Sequence, residues 1–374
     1  MINKNRLIKL TQQLIRIDSQ NPPGDEYAIA SFVKKYLRSC GLSVQEYEFK
    51  RRRTNIIATI RAKGKCSLLI TPHLDTVPSG SGWRMPALGG RLYANKIYGL
   101  GATDCKGNLA CAMEVLESLR EDKVSLQYTL IFAATADEEC GSDPGIIPLL
   151  SKKIITPTQA LVLDADNFSI IVTQKGLVHV KVKLQGKRCH GAYPWRGINA
   201  IDAAVRIIHE LKESAVRSKV INKYLRPSTM NVGTIRGGDK VNIVAPWCEL
   251  ELDFRFLPGE YARTILENLR RIVRRHSRKF AIEIEGIQQP YAISQAHPLV
   301  THLSAAFKAV GKRPIIKGSE GATVITFFQK QGIPAVATGF GSAGCAHSVD
   351  EYATVENLYK GSLALEKFLR NYTM

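Results

Sequence analysis

Long apolar runs are missing from this sequence, and nothing in it approaches the roughly 18 consecutive apolar residues of a membrane-spanning helix. Aromatic residues are scarce, at 7% of 374 residues. A net charge of +19 invites a nucleic-acid reading, as do Arg51-Arg52-Arg53 and the basic cluster from Arg270 to Lys279. No recognition motif or interleaving of aromatics with basic residues stands behind it, so nucleic acid is not the expected partner. None of the eight cysteines forms a Cys-x-x-Cys pair. A chain this long needs no disulfide framework, and they read as small buried residues in a reducing compartment. The first residues lack the compact apolar stretch and small-residue cleavage site of a secretion signal. Leu7, Leu10, Leu14 and Ile17 instead fall at helical spacing among Lys4, Arg6, Lys9 and Arg16, and the expected location is cytoplasmic. There is no internal repeat and no low-complexity segment. A composition of 45% hydrophobic and 23% charged residues excludes a mainly disordered chain.

What is present is enough chain for two domains, since domains usually run to about 100–150 residues. Strand-like and helix-like segments alternate from the start, which favours an α/β sheet. Asn55–Ile60, Cys66–Thr71, Tyr128–Ala134 and Ala160–Leu163 read as strands, and Gly107–Leu119 as a helix. After Lys175-Gly176 the texture changes: Val178–Leu184 alternates apolar and polar residues, as a strand with one wet face does. A helix over Ala200–Ser214, strands over Met230–Ile235 and Cys248–Arg255, a helix over Ala262–Arg275 and a strand over Phe280–Glu285 follow. That is a βαββαβ insert, a small antiparallel sheet carrying two helices. The helix–strand alternation then resumes from Ala296 to Met374.

Chemistry-bearing residues collect where strands end. His73 and Asp75 follow one strand, Asp137, Glu138 and Glu139 a second, and Asp164 and Asp166 a third. Asp104 sits in the glycine-rich loop Gly99–Gly107, which lacks the order of a phosphate loop and carries an acid at its centre. His347 ends a second glycine-rich loop, Gly339–His347. Ligand sites of open α/β sheets lie outside the carboxyl ends of strands. Two imidazoles and three or four carboxylates gathered there can hold two zinc-like ions with one acid bridging, and a remaining Glu can serve as general base. Paired metals clamp a water and a scissile carbonyl.

The strings His73-Leu74-Asp75-Thr76-Val77-Pro78, Gly101-Ala102-Thr103-Asp104-Cys105-Lys106-Gly107 and Asp137-Glu138-Glu139-Cys140-Gly141-Ser142 together resemble the M20 metallopeptidases. These include acetylornithine deacetylases, succinyl-diaminopimelate desuccinylases, aminoacylases and glutamate carboxypeptidases. The resemblance runs nearly end to end, from Ser19–Glu26 through Cys189–Pro194 and Gly197–Ile201 to Ala346–Tyr352. It implies a mixed-sheet di-zinc catalytic domain, residues 1–175 and 288–374, with an inserted α+β lid or dimerisation domain, residues 176–287. It implies His73 and Asp164 on one metal, Glu139 and His347 on the other, Asp104 bridging, Glu138 as the base and Asp75 behind His73. Asp164 is preferred to Asp166 because it lies eleven residues before Lys175, the family spacing, with Asp in place of the usual Glu. His190 is implied to reach a partner subunit's site and stabilise the oxyanion, and Asn242 and Arg255 to bind the substrate carboxylate, a role that suits a planar guanidinium.

The sequence departs from the family in carrying Val324 where an acid is common, which leaves the substrate-side wall of the pocket open. Cys105, Cys140, Cys189 and Cys345 lie within two residues of implied site residues and read as space-fillers. His179, His209, His276, His297 and His302 fall outside every motif. The resulting expectation is a homodimeric hydrolase of an N-acyl amino acid or small peptide with a free carboxylate. Its ions are zinc, with cobalt or manganese as alternatives. A dipeptidase or carboxypeptidase of the same family is the alternative, and a nucleic-acid-binding or catalytically silent protein a distant one.

Overall fold

The computed structural model describes residues 1–215 and 220–373. Residues 216–219 and Met374, which fall in the expected insert and catalytic domain, lie outside the described residues. Two units are distinguished by their internal contacts: Met1–Val172 with Ile293–Lys317 and Thr323–Met374, and Thr173–Ala292 with Gly318–Ala322. Both are mixed α/β.

In the first unit, strands Val44–Lys50, Arg53–Ile60, Thr129–Ala134, Ser67–Thr71, Gln159–Val162, Ala335–Thr338 and Ser169–Gln174 neighbour one another in that order. The four central ones, from Thr129–Ala134 to Ala335–Thr338, are mutually parallel, so their carboxyl ends lie along one edge. Their apolar residues are buried on both faces (Leu68, Leu69 and Ile70; Ala335, Val336 and Ala337), as parallel strands require. Helix Lys106–Glu121 is buried along nearly its whole length and packs against helices Lys4–Ile15 and Val355–Asn371. Its start admits only glycine at 107, where a Cβ would lie 2.1 Å from the Ala102 carbonyl oxygen. Its buried Asn108 ties two loops together, accepting from the Phe340 N–H at 2.8 Å and donating to the Ala165 carbonyl at 3.1 Å.

The second unit is a four-stranded antiparallel sheet, ordered Thr229–Gly237, Trp247–Phe256, Gly176–Gln185 and Phe280–Gln288. Helices Ala200–Ala215 and Ala262–His276 complete the βαββαβ order. Val178, Val180, Val182 and Leu184 share one core with Leu250, Leu252, Leu269 and Ile272. The intervening residues are charged and paired, Lys181 with Glu251 at 3.1 Å and Lys183 with Glu283 at 2.7 Å. No helix among the described residues is long and apolar enough to cross a membrane.

Candidate metal centre

Each of the four parallel strands delivers polar residues just past its last residue. Ser67–Thr71 leads to His73 and Asp75, Thr129–Ala134 to Glu138 and Glu139, Gln159–Val162 to Asp164, and Ala335–Thr338 into the loop that ends at His347. Asp104 comes from the loop before helix Lys106–Glu121; the peptide joining it to Cys105 is cis. Two ligand-like triads result, His73–Asp104–Asp164 and Asp104–Glu139–His347, and they share Asp104.

The Asp104 carboxylate faces a different imidazole with each oxygen. Its Oδ1 lies 3.0 Å from His73 Nε2 and its Oδ2 3.2 Å from His347 Nε2. His73 Nε2 is also 3.6 Å from Asp164 Oδ1, and His347 Nε2 is 3.3 Å from Glu139 Oε1. Tetrahedral ligands about 2.0–2.1 Å from a zinc ion stand roughly 3.3 Å apart, so these spacings fit an ion at the centre of each triad. The donor set of imidazole nitrogens and carboxylate oxygens suits zinc, cobalt or manganese. Asp166 is directed elsewhere, to Lys317 Nζ at 3.1 Å.

Electrostatics point the same way. Burial opposes ionisation of Asp104, yet hydrogen bonds from His347 and His73 hold its carboxyl well below the usual range. Hydrogen bonds to Asp104 and Glu139 raise His347 to about 10. Burial drives Glu138 far above the ordinary carboxylate range, and the neighbouring Asp164 adds to this. So many buried acids around two imidazoles call for cations. Cys105 belongs to neither triad: its sulfur packs on the His73 backbone, accepting the His73 N–H at 3.2 Å, and burial pushes its thiol up to about 12.

The loops are held from behind. His73 Nδ1 lies 3.0 Å from the Asp75 carbonyl oxygen, which leaves Nε2 for the centre. The Asp75 carboxylate also stands behind His73, with Oδ1 3.5 Å from Nδ1, and it holds the next turn: Oδ1 accepts the Glu138 N–H and Oδ2 the Glu139 N–H, each at 3.1 Å. Buried Glu351 takes the N–H groups of Gly101, Thr103 and Asp104 at 2.9, 2.7 and 3.0 Å. The Glu138 carboxylate makes no hydrogen bond or ion pair with any described residue.

His190, Asn242 and Arg255 belong to the second unit. His190 bridges Ile243, and the Gly191 N–H donates to the Asn242 carbonyl at 2.8 Å. His190 Nδ1 accepts the Ala192 N–H at 3.1 Å, so its Nε2 carries the proton of the neutral ring. Arg255 Nε donates to Asp253 at 2.9 Å. The remaining imidazoles have local partners: Asp253 for His179, Glu213 for His209, Glu210 for His276, the Leu299 N–H for His297 and the Pro298 carbonyl for His302.

Sequence reasoning missed Asn21, Glu26, Arg53 and Glu351 as supports of the centre. Arg53, one of the basic run that invites a nucleic-acid reading, is buried and ion-paired with Glu26 and Asp137. The one available signal was that Asn21 and Glu26 fall within Ser19–Glu26, the first stretch of the family resemblance.

The profile of peptidase family M20/M25/M40 matches residues 69–371. The acetylornithine deacetylase of Proteus mirabilis is 27% identical over 361 residues, spanning 93% of this chain and 90% of the relative. Among solved structures, aminopeptidase PepT of Bacillus cereus superposes with a TM-score of 0.81 at 22% identity, covering 99% of this chain and 98% of its own. A dinuclear metal-binding peptidase of the M20 family from Bacillus subtilis superposes with a TM-score of 0.76 at 15% identity, covering 98% and 97%.

Proposed function

The chain belongs to peptidase family M20/M25/M40, and from that premise we propose that it is a cytoplasmic, dinuclear metal-dependent deacylase. Its substrate is a small N-acyl amino acid with a free carboxylate. The observation that carries this reading is the pair of imidazoles on opposite oxygens of Asp104.

His73, Asp104 and Asp164 would hold one ion, and Asp104, Glu139 and His347 the other; zinc is the ion we favour. Two ions bound there would polarise the scissile carbonyl and acidify a shared water. Glu138 takes the proton of the attacking water and passes it to the leaving nitrogen. Asp75 keeps the Glu138–Glu139 turn in place through two N–H groups. His190 donates from Nε2 to the developing oxyanion, and Asn242 and Arg255 receive the substrate carboxylate.

We further propose that His190 acts in the site of a second copy of the chain. The loops that meet at His190 and Ile243 expose Tyr193, Trp195 and Ile198, and Val241 at 99%. Apolar side chains clustered so openly mark an interaction surface.

The substrate class is tested by a hydrolysis panel of N-acetyl amino acids, N-succinyl amino acids and dipeptides, with zinc, cobalt or manganese added. Hydrolysis of the acyl amino acids supports the deacylase reading. Cleavage of dipeptides alone makes the protein a peptidase of the same family. No hydrolysis with any metal contradicts the proposal.

A further inference from the structure

Directly behind the turn that carries Glu138 and Glu139 lies a buried set of charges that the reaction does not use. Arg53 is 4% exposed. Its guanidinium is bidentate on Glu26, with Nε–Oε2 at 2.6 Å and Nη2–Oε1 at 2.7 Å, and Nη2 also donates to Asp137 Oδ1 at 2.6 Å. Glu26 Oε1 in turn accepts the Asp137 N–H at 3.2 Å. Asn21 Nδ2 spans Asp137 Oδ1 at 3.0 Å and Asp75 Oδ2 at 2.9 Å. Since Asp75 takes the N–H groups of Glu138 and Glu139, every backbone donor from 137 to 139 ends on a buried carboxylate of this network.

Asp137 has φ 64° and ψ 28°, a left-handed conformation that costs a non-glycine residue energy and persists only where its surroundings impose it. The turn it opens aims Glu139 at His347 and sets Glu138 beside Asp164. Arg53 is the only lysine or arginine ion-paired within the set among the described residues, and without it Glu26, Asp75 and Asp137 are three buried carboxylates facing one another. Such a charge is costly to remove and hard to replace, because only a planar fork serves two carboxylates at once.

We propose that Arg53 is a positioning residue for the second metal subsite. It holds Asp137 left-handed at the start of the Glu138–Glu139 turn, and so sets both the affinity of the Asp104–Glu139–His347 triad for its ion and the turnover that depends on Glu138. The His73–Asp104–Asp164 triad depends on it less: Asp104 and Asp164 arrive on other segments, and His73 Nδ1 lies nearer the Asp75 carbonyl oxygen, at 3.0 Å, than the Asp75 carboxylate, at 3.5 Å. The inference rests on the metallohydrolase reading above.

The test titrates metal-free Arg53→Lys with Co²⁺, followed by visible absorption, and with Zn²⁺ in a calorimeter, beside the unaltered protein. Lysine keeps the charge and loses the fork. One ion should bind as in the unaltered protein and the other about 10–100-fold more weakly, the usual effect of losing an outer partner of a ligand. With metals saturating, kcat should fall at least about tenfold while KM stays within about twofold, the mark of an interaction felt only in the transition state. Unchanged affinities in folded Arg53→Lys overturn the proposal, as does an equal fall at both subsites together with a lowered Tm. If Arg53→Lys does not fold, the triple variant Arg53→Met with Glu26→Gln and Asp137→Asn removes the cation together with both carboxylates it pairs with, and the same titration decides. If the unaltered protein binds two ions and hydrolyses nothing, the functional reading fails while the titration still judges Arg53. If it binds fewer than two, both fail.

Discussion

Glu351 Oε1 accepts the backbone N–H of Asp104 at 3.0 Å. A buried carboxylate far along the chain therefore aims the loop whose own carboxylate faces both imidazoles of the centre. The same oxygen takes the Thr103 N–H, and Oε2 takes that of Gly101. Burial raises the Glu351 carboxyl to about 7; in its ionised form these bonds are charge-assisted and about twice as strong as neutral ones.

Glu351→Gln keeps the shape but turns an amide NH₂ toward a backbone donor. Leaving a buried donor unsatisfied costs about 1–3 kcal/mol. Thermal unfolding should show the loss in the metal-free protein. Calorimetric titration should show weaker binding at both subsites, because Asp104 serves both. A variant that matches the unaltered protein in both measurements would mean that other contacts hold the loop.

Glu139→Ala removes a ligand of one triad and leaves His73, Asp104 and Asp164 untouched. Metal analysis should return about two ions per chain before the change and about one after it, by the two-metal logic of such sites. Chelator dialysis should abolish activity reversibly, since ligands from five segments are assembled by the fold rather than by the ion. An unchanged count in Glu139→Ala tells against its place in the centre.

Glu138→Gln should keep both ions and lose about 10²–10⁴ in kcat, the usual worth of a general base. Metal content and steady-state kinetics on one preparation check this. If Glu138→Gln loses an ion and Glu139→Gln keeps both, the two neighbours have exchanged roles.

The strand ends were legible because their signal is local: a short apolar run, then an acid or imidazole within a few residues, as at Ile70–His73 or Val162–Asp164. The alternation in Val178–Leu184 exposed the second unit in the same way. Val44–Lys50 escaped notice because four of its seven residues are charged or amide-bearing and most of it is exposed or half-exposed. The supports of the centre were illegible for a different reason. Arg53 meets Glu26 and Asp137 across 27 and 84 residues of chain, and no periodicity connects such positions. A buried arginine that follows two other arginines looks like surface charge until the fold supplies its partners. Val324 is buried beside the short helix Ile325–Lys330. Four residues earlier Glu320 meets Lys175 Nζ at 2.7 Å, a pairing equally invisible to the sequence.

If His190 serves the site of a second copy, inactive Glu138→Gln chains mixed with inactive His190→Ala chains should regain activity after subunit exchange. A heterodimer then has one site with both defects and one intact. His190→Ala alone should lower kcat more than it raises KM, as expected of a donor to the transition state. A mixture that stays inactive after demonstrated exchange places His190 within its own chain.

The most direct test of the central claim, a carboxylate shared between two ions, is anomalous diffraction from crystals of the zinc-loaded protein. Two peaks should flank Asp104, about 3.5–4 Å apart as in two-metal hydrolases, one beside His73 and Asp164 and the other beside Glu139 and His347. A single peak, or two peaks neither of which contacts Asp104, would contradict it.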